Sequence, residues 1–155
     1  MRNIQLTQNK MCIVDNADYD LLSKYKWNYH QGYPSRNKRV SVNKRITWRI
    51  YNELLGKQIG MDIDHINGNT LDNRRCNLRI CRHAQNSYNQ ILPKNNTSGY
   101  KGVTWYKRYN KWLAQTLVDG KRKNLGYFNN KLDAAKAYNE AAIKYFGKFA
   151  RINKI

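Results

Sequence analysis

Apolar residues come in short bursts separated by polar stretches, and no run approaches the 18 residues of a membrane span. The pattern predicts an early hairpin around Ile4 to Val14, a short helix near Tyr19 to Lys24, and strands marked by Trp27, Tyr29 and Tyr33 and then by Val40 and Val42. Ile46, Ile50, Leu54 and Leu55 fall at helical spacing, with Gly56 and Gly60 at the end of that helix. Residues 62 to 79 are dominated by Asp, Asn, Gly and Arg, which favour tight loops, and so predict an irregular, polar segment. Leu78 and Ile80 alternate as a short strand, and Ala84, Tyr88 and Ile91 mark one face of a helix that Pro93 stops.

Lys94 to Ser98, with Asn95, Asn96 and Thr97, reads as a linker, which sets expected domains at 1–93 and 99–155. Beyond it the pattern predicts three strands, Tyr100 to Lys107, Lys111 to Val118 and Lys121 to Phe128, with Asp119-Gly120 as a two-residue hairpin turn. A helix follows, capped by Asn129 or Asn130, with Asp133 in its first turn and Gly147 at its end. Its apolar face is rich in alanine: Ala134, Ala137, Ala141 and Ala142 accompany Tyr138, Tyr145 and Phe146, so the helix can lie close against a sheet. The fold class expected is α+β.

Charge changes the picture. The chain has 155 residues with 29 Lys and Arg against 10 Asp and Glu, a net +19. The excess is shared: residues 1 to 98 hold 16 basic and 7 acidic side chains, and residues 99 to 155 hold 13 and 3. Both halves are suited to a polyanion, and phosphate neutralisation with counterion release is the usual use of such a field. A membrane surface is disfavoured because the aromatics are dispersed through polar sequence and no signal peptide is visible. A soluble protein acting in the cytoplasm is expected, and three sparse cysteines, Cys12, Cys76 and Cys81, fit a reducing compartment. Zinc held by Cys76, Cys81, His83 and His65 is disfavoured, since the spacing lacks the two-residue knuckle of zinc ribbons.

The string Asp64-His65-Ile66-Asn67-Gly68-Asn69 is followed by Asn77-Leu78-Arg79 and then by Gln85-Asn86. It resembles the HNH nuclease motif, in the ββα-metal form of phage and intron-encoded homing endonucleases, with a motif core at 57–92. The Asp-His pair, an Asn twelve residues after the His and a second Asn nine residues later stand where that family has them. The resemblance implies a metal-dependent DNA endonuclease leaving 5′-phosphate and 3′-hydroxyl ends. It implies His65 as general base, Asp64 and Asn86 as ligands of one Mg2+ or Mn2+, and Asn77 as the residue that pins the loop and orients the imidazole. Such roles are chemically sensible. An imidazole titrates near neutral pH, and Mg2+ keeps much of its water and takes few protein oxygens. Arg74, Arg75, Arg79 and Arg82, clustered beside the loop, are expected phosphate contacts. Taken singly, Asn67, Asn69, Asp72 and Asn73 read as loop residues that satisfy their own backbone. The family often has a His-Arg pair in a helix before the Asp-His strand, and here Trp48-Arg49 stands in that register.

Tyr100-Lys101-Gly102-Val103, Lys111-Trp112-Leu113-Ala114, Leu125-Gly126-Tyr127-Phe128 and Asp133-Ala134-Ala135-Lys136-Ala137-Tyr138-Asn139 resemble the APETALA/ethylene-response-factor DNA-binding domain over 99–153. That family implies a three-stranded antiparallel sheet that enters the major groove, backed by one helix. Period-two alternation puts Val103, Trp112, Ala114 and Leu125 on the helix, so Thr104, Tyr106, Gln115, Leu117, Arg122 and Asn124 face away. Those six, with Arg108 and Lys111 near the first turn, are the expected DNA contacts. Thr104, Leu117 and Asn124 replace the charged or indole groups of the plant pattern.

The reading is a duplex-DNA endonuclease, monomer or weak dimer, with no small-molecule cofactor and no membrane partner. A non-catalytic DNA-binding regulator is the alternative. An RNA-acting nuclease stays open because 12 tyrosines are available for stacking.

Overall fold

The computed structural model describes residues 1–155 as an α+β chain divided into two compact units, Met1–His83 and Ala84–Ile155. In the first unit β1 (Arg2–Gln5) and β2 (Met11–Val14) form the expected hairpin, with Ile4 opposite Cys12. The short helix α1 (Asn16–Leu22) follows. Next, β3 (Asn28–His30), β4 (Tyr33–Ser41) and β5 (Lys44–Arg49) make a three-stranded antiparallel sheet. Helix α2 (Ile50–Leu55) leads to Gly56, whose φ of +72° turns the chain out of the helix.

Ile46 is not helical. It lies in β5 opposite Lys38, and Trp48 and Arg49 close the same strand immediately before α2. The β-branched and aromatic side chains of Ile46, Thr47 and Trp48 suit a strand, and pairing with β4 overrides the apparent helical spacing.

The polar segment that begins at residue 62 is more regular than its composition suggests. Asp62–His65 form β6, paired antiparallel with β7 (Leu78–Cys81) in a register that sets Asp64 opposite Arg79 and His65 opposite Leu78. Helix α3 (His83–Tyr88) follows β7 in the chain and from Ala84 onward belongs to the second unit. It ends at Tyr88, five residues before Pro93, so the proline does not stop it.

The core of this unit gathers Ile4, Leu6, Cys12, Val14, Leu22, Trp27, Ile50, Tyr51, Leu54 and Leu78. Trp27 buries its indole and donates Nε1–H to the Leu22 carbonyl at 2.8 Å, so its one polar atom is satisfied. The N-terminal hairpin is tied to the loop after β6: Ile13 donates to Leu71 O and Asn73 N donates to Ile13 O, each at 2.8 Å.

In the second unit β8 (Val103–Tyr106), β9 (Lys111–Val118) and β10 (Lys121–Phe128) form an antiparallel sheet in the order β10-β9-β8. Asp119 and Gly120 both have positive φ, 50° and 75°, the geometry of the tight hairpin expected between β9 and β10. Helix α4 (Lys131–Phe146) is capped by Asn130, whose side chain accepts from Leu132 N at 2.9 Å. Val103, Ala114, Ala134 and Ala135 make the sheet-helix core, with Trp112 and Leu125 packed against it. The approach is close enough that a Cβ on Gly102, where φ is +74°, would run into the Tyr138 ring and the Gln115 carbonyl. Tyr88 stacks on Phe146 at 3.9 Å between centroids, and Lys101 Nζ donates to Tyr88 O and Gln90 O at 2.7 and 2.8 Å. No helix in the chain is long and apolar enough to cross a membrane.

Candidate functional site

Strand β6 carries two polar side chains into the first unit: Asp64 is 6% exposed and His65 5%. Both positions demand partners, since an unpaired buried polar group is costly. Arg79 meets Asp64 from directly across the strand pair, its Nη2 and Nε donating to Oδ2 at 2.6 and 2.8 Å. The imidazole sits among rings, with Tyr51 edge-on at 5.8 Å and Tyr33 tilted at 6.2 Å between centroids.

The side chain bonded to the imidazole is that of Asn73. Its Oδ1 lies 3.2 Å from His65 Nε2, while its Nδ2 donates to Thr70 O at 2.9 Å and to Cys12 Sγ at 3.3 Å. Those two acceptors orient the carboxamide with its oxygen toward the ring. An acceptor facing Nε2 requires that nitrogen to hold the hydrogen, so Nδ1 is the basic atom of the neutral imidazole. Burial pushes the His65 pKa below the ordinary histidine value, and the Asn73 bond and the Asp64 charge offset this only in part. At neutral pH the ring is uncharged.

Asn77 is 6% exposed and works on the loop. Its Oδ1 accepts from Asn67 N at 3.0 Å, and its Nδ2 donates to Asp72 O at 2.8 Å and Asn67 Oδ1 at 3.0 Å. Asn67 in turn donates to Asp72 Oδ2 at 2.9 Å, and Asn69 Oδ1 accepts from Leu71 N. The loop is therefore a closed hydrogen-bond network that presents Asn73 to the ring. Composition alone hid Asn73, because the signal is its complete burial and the bridge from its backbone to β2.

Arg74, Arg75 and Arg79 each engage a carboxylate of the chain. Arg74 forks onto Asp72, with Nε to Oδ1 at 2.7 Å and Nη2 to Oδ2 at 2.6 Å, which holds the Asp72 carboxyl below its usual range. Arg75 forks onto Asp18 and its backbone N–H donates to Asp15, tying the loop to α1. Arg79 holds Asp64 as described, while Arg82 is exposed. Asn86 is half-buried on α3. Of the cysteines, Cys12 and Cys81 are buried and Cys76 is exposed, and burial pushes the Cys12 thiol up to about 12.

The second unit sorts its sheet residues as alternation requires. Thr104 stands opposite Leu113, Tyr106 opposite Lys111, Gln115 opposite Asn124 and Leu117 opposite Arg122, all on the face turned from α4. A bulge between Asn124 and Gly126 lets Leu125 turn inward and moves Tyr127 onto the outer face opposite Leu113. Tyr106, Tyr109 and Tyr127 then form an aromatic cluster, with centroids 4.9 to 5.3 Å apart, that period-two counting without the bulge does not find. Arg108 is exposed beside it.

Strand β6 thus carries a buried carboxylate and a buried imidazole at successive positions, and an Asn-rich loop pinned by its own hydrogen bonds joins β6 to β7. The HNH endonuclease family profile matches residues 56–88. An uncharacterized HNH endonuclease of Acanthamoeba polyphaga mimivirus is 34% identical over 141 residues, covering 88% of this chain and 71% of the relative. Protein 3.8 of Escherichia phage T7 is 36% identical over 96 residues, 62% of this chain and 74% of the phage protein. The chain belongs to the HNH endonuclease family. The rice protein APETALA2-like protein 2 is 43% identical over 61 residues, 39% of this chain and 14% of the plant protein. No solved structure matches.

Proposed function

We propose that the protein is a metal-dependent endonuclease of duplex DNA, a homing-type enzyme of phage or intron origin working in the host cytoplasm, that hydrolyses phosphodiesters to 5′-phosphate and 3′-hydroxyl ends. The single observation behind this reading is the neutral, buried imidazole of His65, held by Asn73 and adjacent on β6 to the carboxylate of Asp64.

His65 acts as general base, taking a proton from water at Nδ1 while Asn73 keeps Nε2 occupied. Asn77 holds the loop that holds Asn73. Asp64 and Asn86, by their register in the motif, hold one divalent cation, Mg2+ or Mn2+. The donor chemistry fits, being a carboxylate and a carboxamide oxygen. When bound, such a cation neutralises charge on the scissile phosphate and the leaving oxygen. Arg79 fixes the Asp64 carboxylate in place, and Arg82, exposed just after β7, is a phosphate contact.

The second unit serves as a DNA-binding domain like that of the APETALA2 proteins, with Thr104, Tyr106, Arg108, Lys111, Gln115, Leu117, Arg122 and Asn124 toward DNA. Support comes from the identity to the rice protein and from the shared outer face of these residues. The nuclease domain then runs to residue 93, with 94–98 as the connection, and the protein acts as a monomer or weak dimer. One nuclease loop per chain means that a monomer nicks.

A second reading, a DNA-binding regulator without turnover, is favoured by the 5% exposure of His65. Supercoiled plasmid with Mg2+ decides between them. The nuclease converts it to open circles and His65→Ala abolishes the conversion by a factor of 100 or more. Binding by the wild type with no conversion under any divalent cation would establish the regulator.

A further inference from the structure

Strands β4 and β5 extend beyond their sheet as a two-stranded ribbon whose far end has neither face covered: Asn37, Arg39, Val40, Ser41, Val42, Asn43, Lys44, Arg45 and Thr47 are all exposed. Between Tyr33 and Asn52 the chain has six Lys or Arg and no Asp or Glu. Arg36 pairs with Glu53 at the root, but Lys38, Arg39, Lys44 and Arg45 form no ion pair. Arg39 and Arg45 stand directly opposite each other. Like charges so placed weaken a ribbon. Arg39 is held on the turn, donating from Nε to Ser41 O at 3.2 Å and from Nη2 to Val42 O at 2.7 Å, whereas no hydrogen bond or ion pair within the chain accounts for Lys44 or Arg45.

The face that holds this pair has a definite course. Cross-strand partners Ser35 with Arg49, Asn37 with Thr47 and Arg39 with Arg45 follow one another on the same side. At the inner end Arg49 lies over the Tyr33 ring at 4.0 Å and donates to Tyr51 Oη at 2.7 Å, and both rings border His65. At about 3.3 Å per residue, Arg45 lies roughly 13 Å out from Arg49. The polar and cationic strip thus begins beside the candidate base and leads away over a span of about four base pairs.

We propose that the β4–β5 ribbon is a DNA-contacting arm, laid in the groove of duplex DNA to one side of the scissile phosphate. Arg45 neutralises a phosphate from the strip and Lys44 another from the turn end of the ribbon, and Asn37 and Thr47 face base edges. The proposal rests on the nuclease reading above. A two-stranded ribbon fits the major groove, roughly 12 Å wide, and a carboxamide with a hydroxyl suits base edges there. The tip turns at Val42-Asn43, with Val42 78% exposed.

The test compares full-length wild type, a Lys44→Gln/Arg45→Gln variant and a control Lys24→Gln/Lys26→Gln variant, which removes two exposed cations elsewhere in the same unit. The probe is a 40-base-pair duplex, about 40 so as to span several turns around the mapped nick, with Ca2+ in place of Mg2+. The ribbon variant is expected to lower the slope of log K against log[salt] by about 2, near 0.9 per lost phosphate contact, and to lose hydroxyl-radical protection about four base pairs to one side of the nick. Single-turnover nicking at saturating protein with Mg2+ stays within about threefold of wild type. An unchanged footprint, or an equal loss in the control variant, overturns the arm while leaving the nuclease intact. A wild type that neither binds nor nicks any duplex overturns both readings.

Discussion

The carboxamide oxygen of Asn73 and the imidazole Nε2 of His65 lie 3.2 Å apart, and the amide end of the same Asn73 is fixed by Thr70 O and Cys12 Sγ. A residue eight positions along the chain, anchored to the N-terminal hairpin, therefore chooses the tautomer of the histidine. His65 and the loop that follows it form one hydrogen-bonded object.

Replacing Asn73 tests that relationship. Asn73→Ala is expected to lower kcat about 10- to 100-fold with a smaller change in KM, the usual cost of losing a group that orients a catalytic ring. Asn73→Asp sets a negative charge against the imidazole and is expected to shift the acid limb of the kcat/KM profile to higher pH. A profile superimposable on wild type in Asn73→Asp would show that the contact does not govern the ring.

The depressed pKa of His65 has two pH consequences. The neutral base persists below the ordinary histidine value near 6.5, so kcat/KM falls only at lower pH, and the limb disappears in single-turnover measurements on His65→Ala. For stability, the unfolded chain takes up this proton first as pH falls. The contribution of the buried neutral ring is present above about 6.5 and is lost as pH drops through the lower folded value. Thermal melts from pH 8 to 5 in wild type and His65→Phe measure this, with the wild type losing more Tm.

Arg79 holds Asp64 in a pair whose side chains are only 14% and 7% exposed. Removing the guanidinium takes the counter-charge from a buried carboxylate, and Arg79→Ala is expected to cost about 3 kcal/mol or more in urea denaturation. Arg82→Ala, at an exposed position, is expected to cost less stability than Arg79→Ala and to weaken DNA binding.

Metal binding should register as stability. Mg2+ at about 100 times its Kd is expected to raise the unfolding free energy of wild type by about 2.7 kcal/mol, with Asp64→Asn showing no such rise. A wild-type melting curve indifferent to Mg2+, Mn2+ and Ca2+ would count against a metal held by Asp64.

Gly102→Ala probes the second unit. The added methyl meets the Tyr138 ring and the Gln115 carbonyl at a positive φ, so a loss of about 3 kcal/mol is expected, read as a fall in Tm of the transition belonging to that unit.

Much of this protein was legible in residue order. The three C-terminal strands, the Asp119-Gly120 turn, the Asn130 cap and the alanine face of α4 follow from local propensity and alternation, because each depends on neighbours a few residues away. The hairpin β1–β2 and the strand β7 were readable for the same reason. Ile46 was misassigned because i, i+4 spacing is shared by a helix and by a strand running into a helix, and only pairing with β4 separates the two.

What tertiary structure alone decided lies in the polar residues. Asp62 to His65 reads as a loop by composition, yet it is a strand, since β7 supplies its backbone partners and Arg79 and Asn73 supply side-chain partners that composition cannot foresee. Asn73 and Asn77 are the same residue type four positions apart, and the fold gives one to the imidazole and the other to the loop backbone. Arg74 and Arg75, expected from the sequence as phosphate contacts, are paired with Asp72 and Asp18 in the structure. Apolar periodicity is a local property, so residue order alone reveals it. The partner of a buried polar group comes from wherever the chain returns, and only the folded chain identifies it.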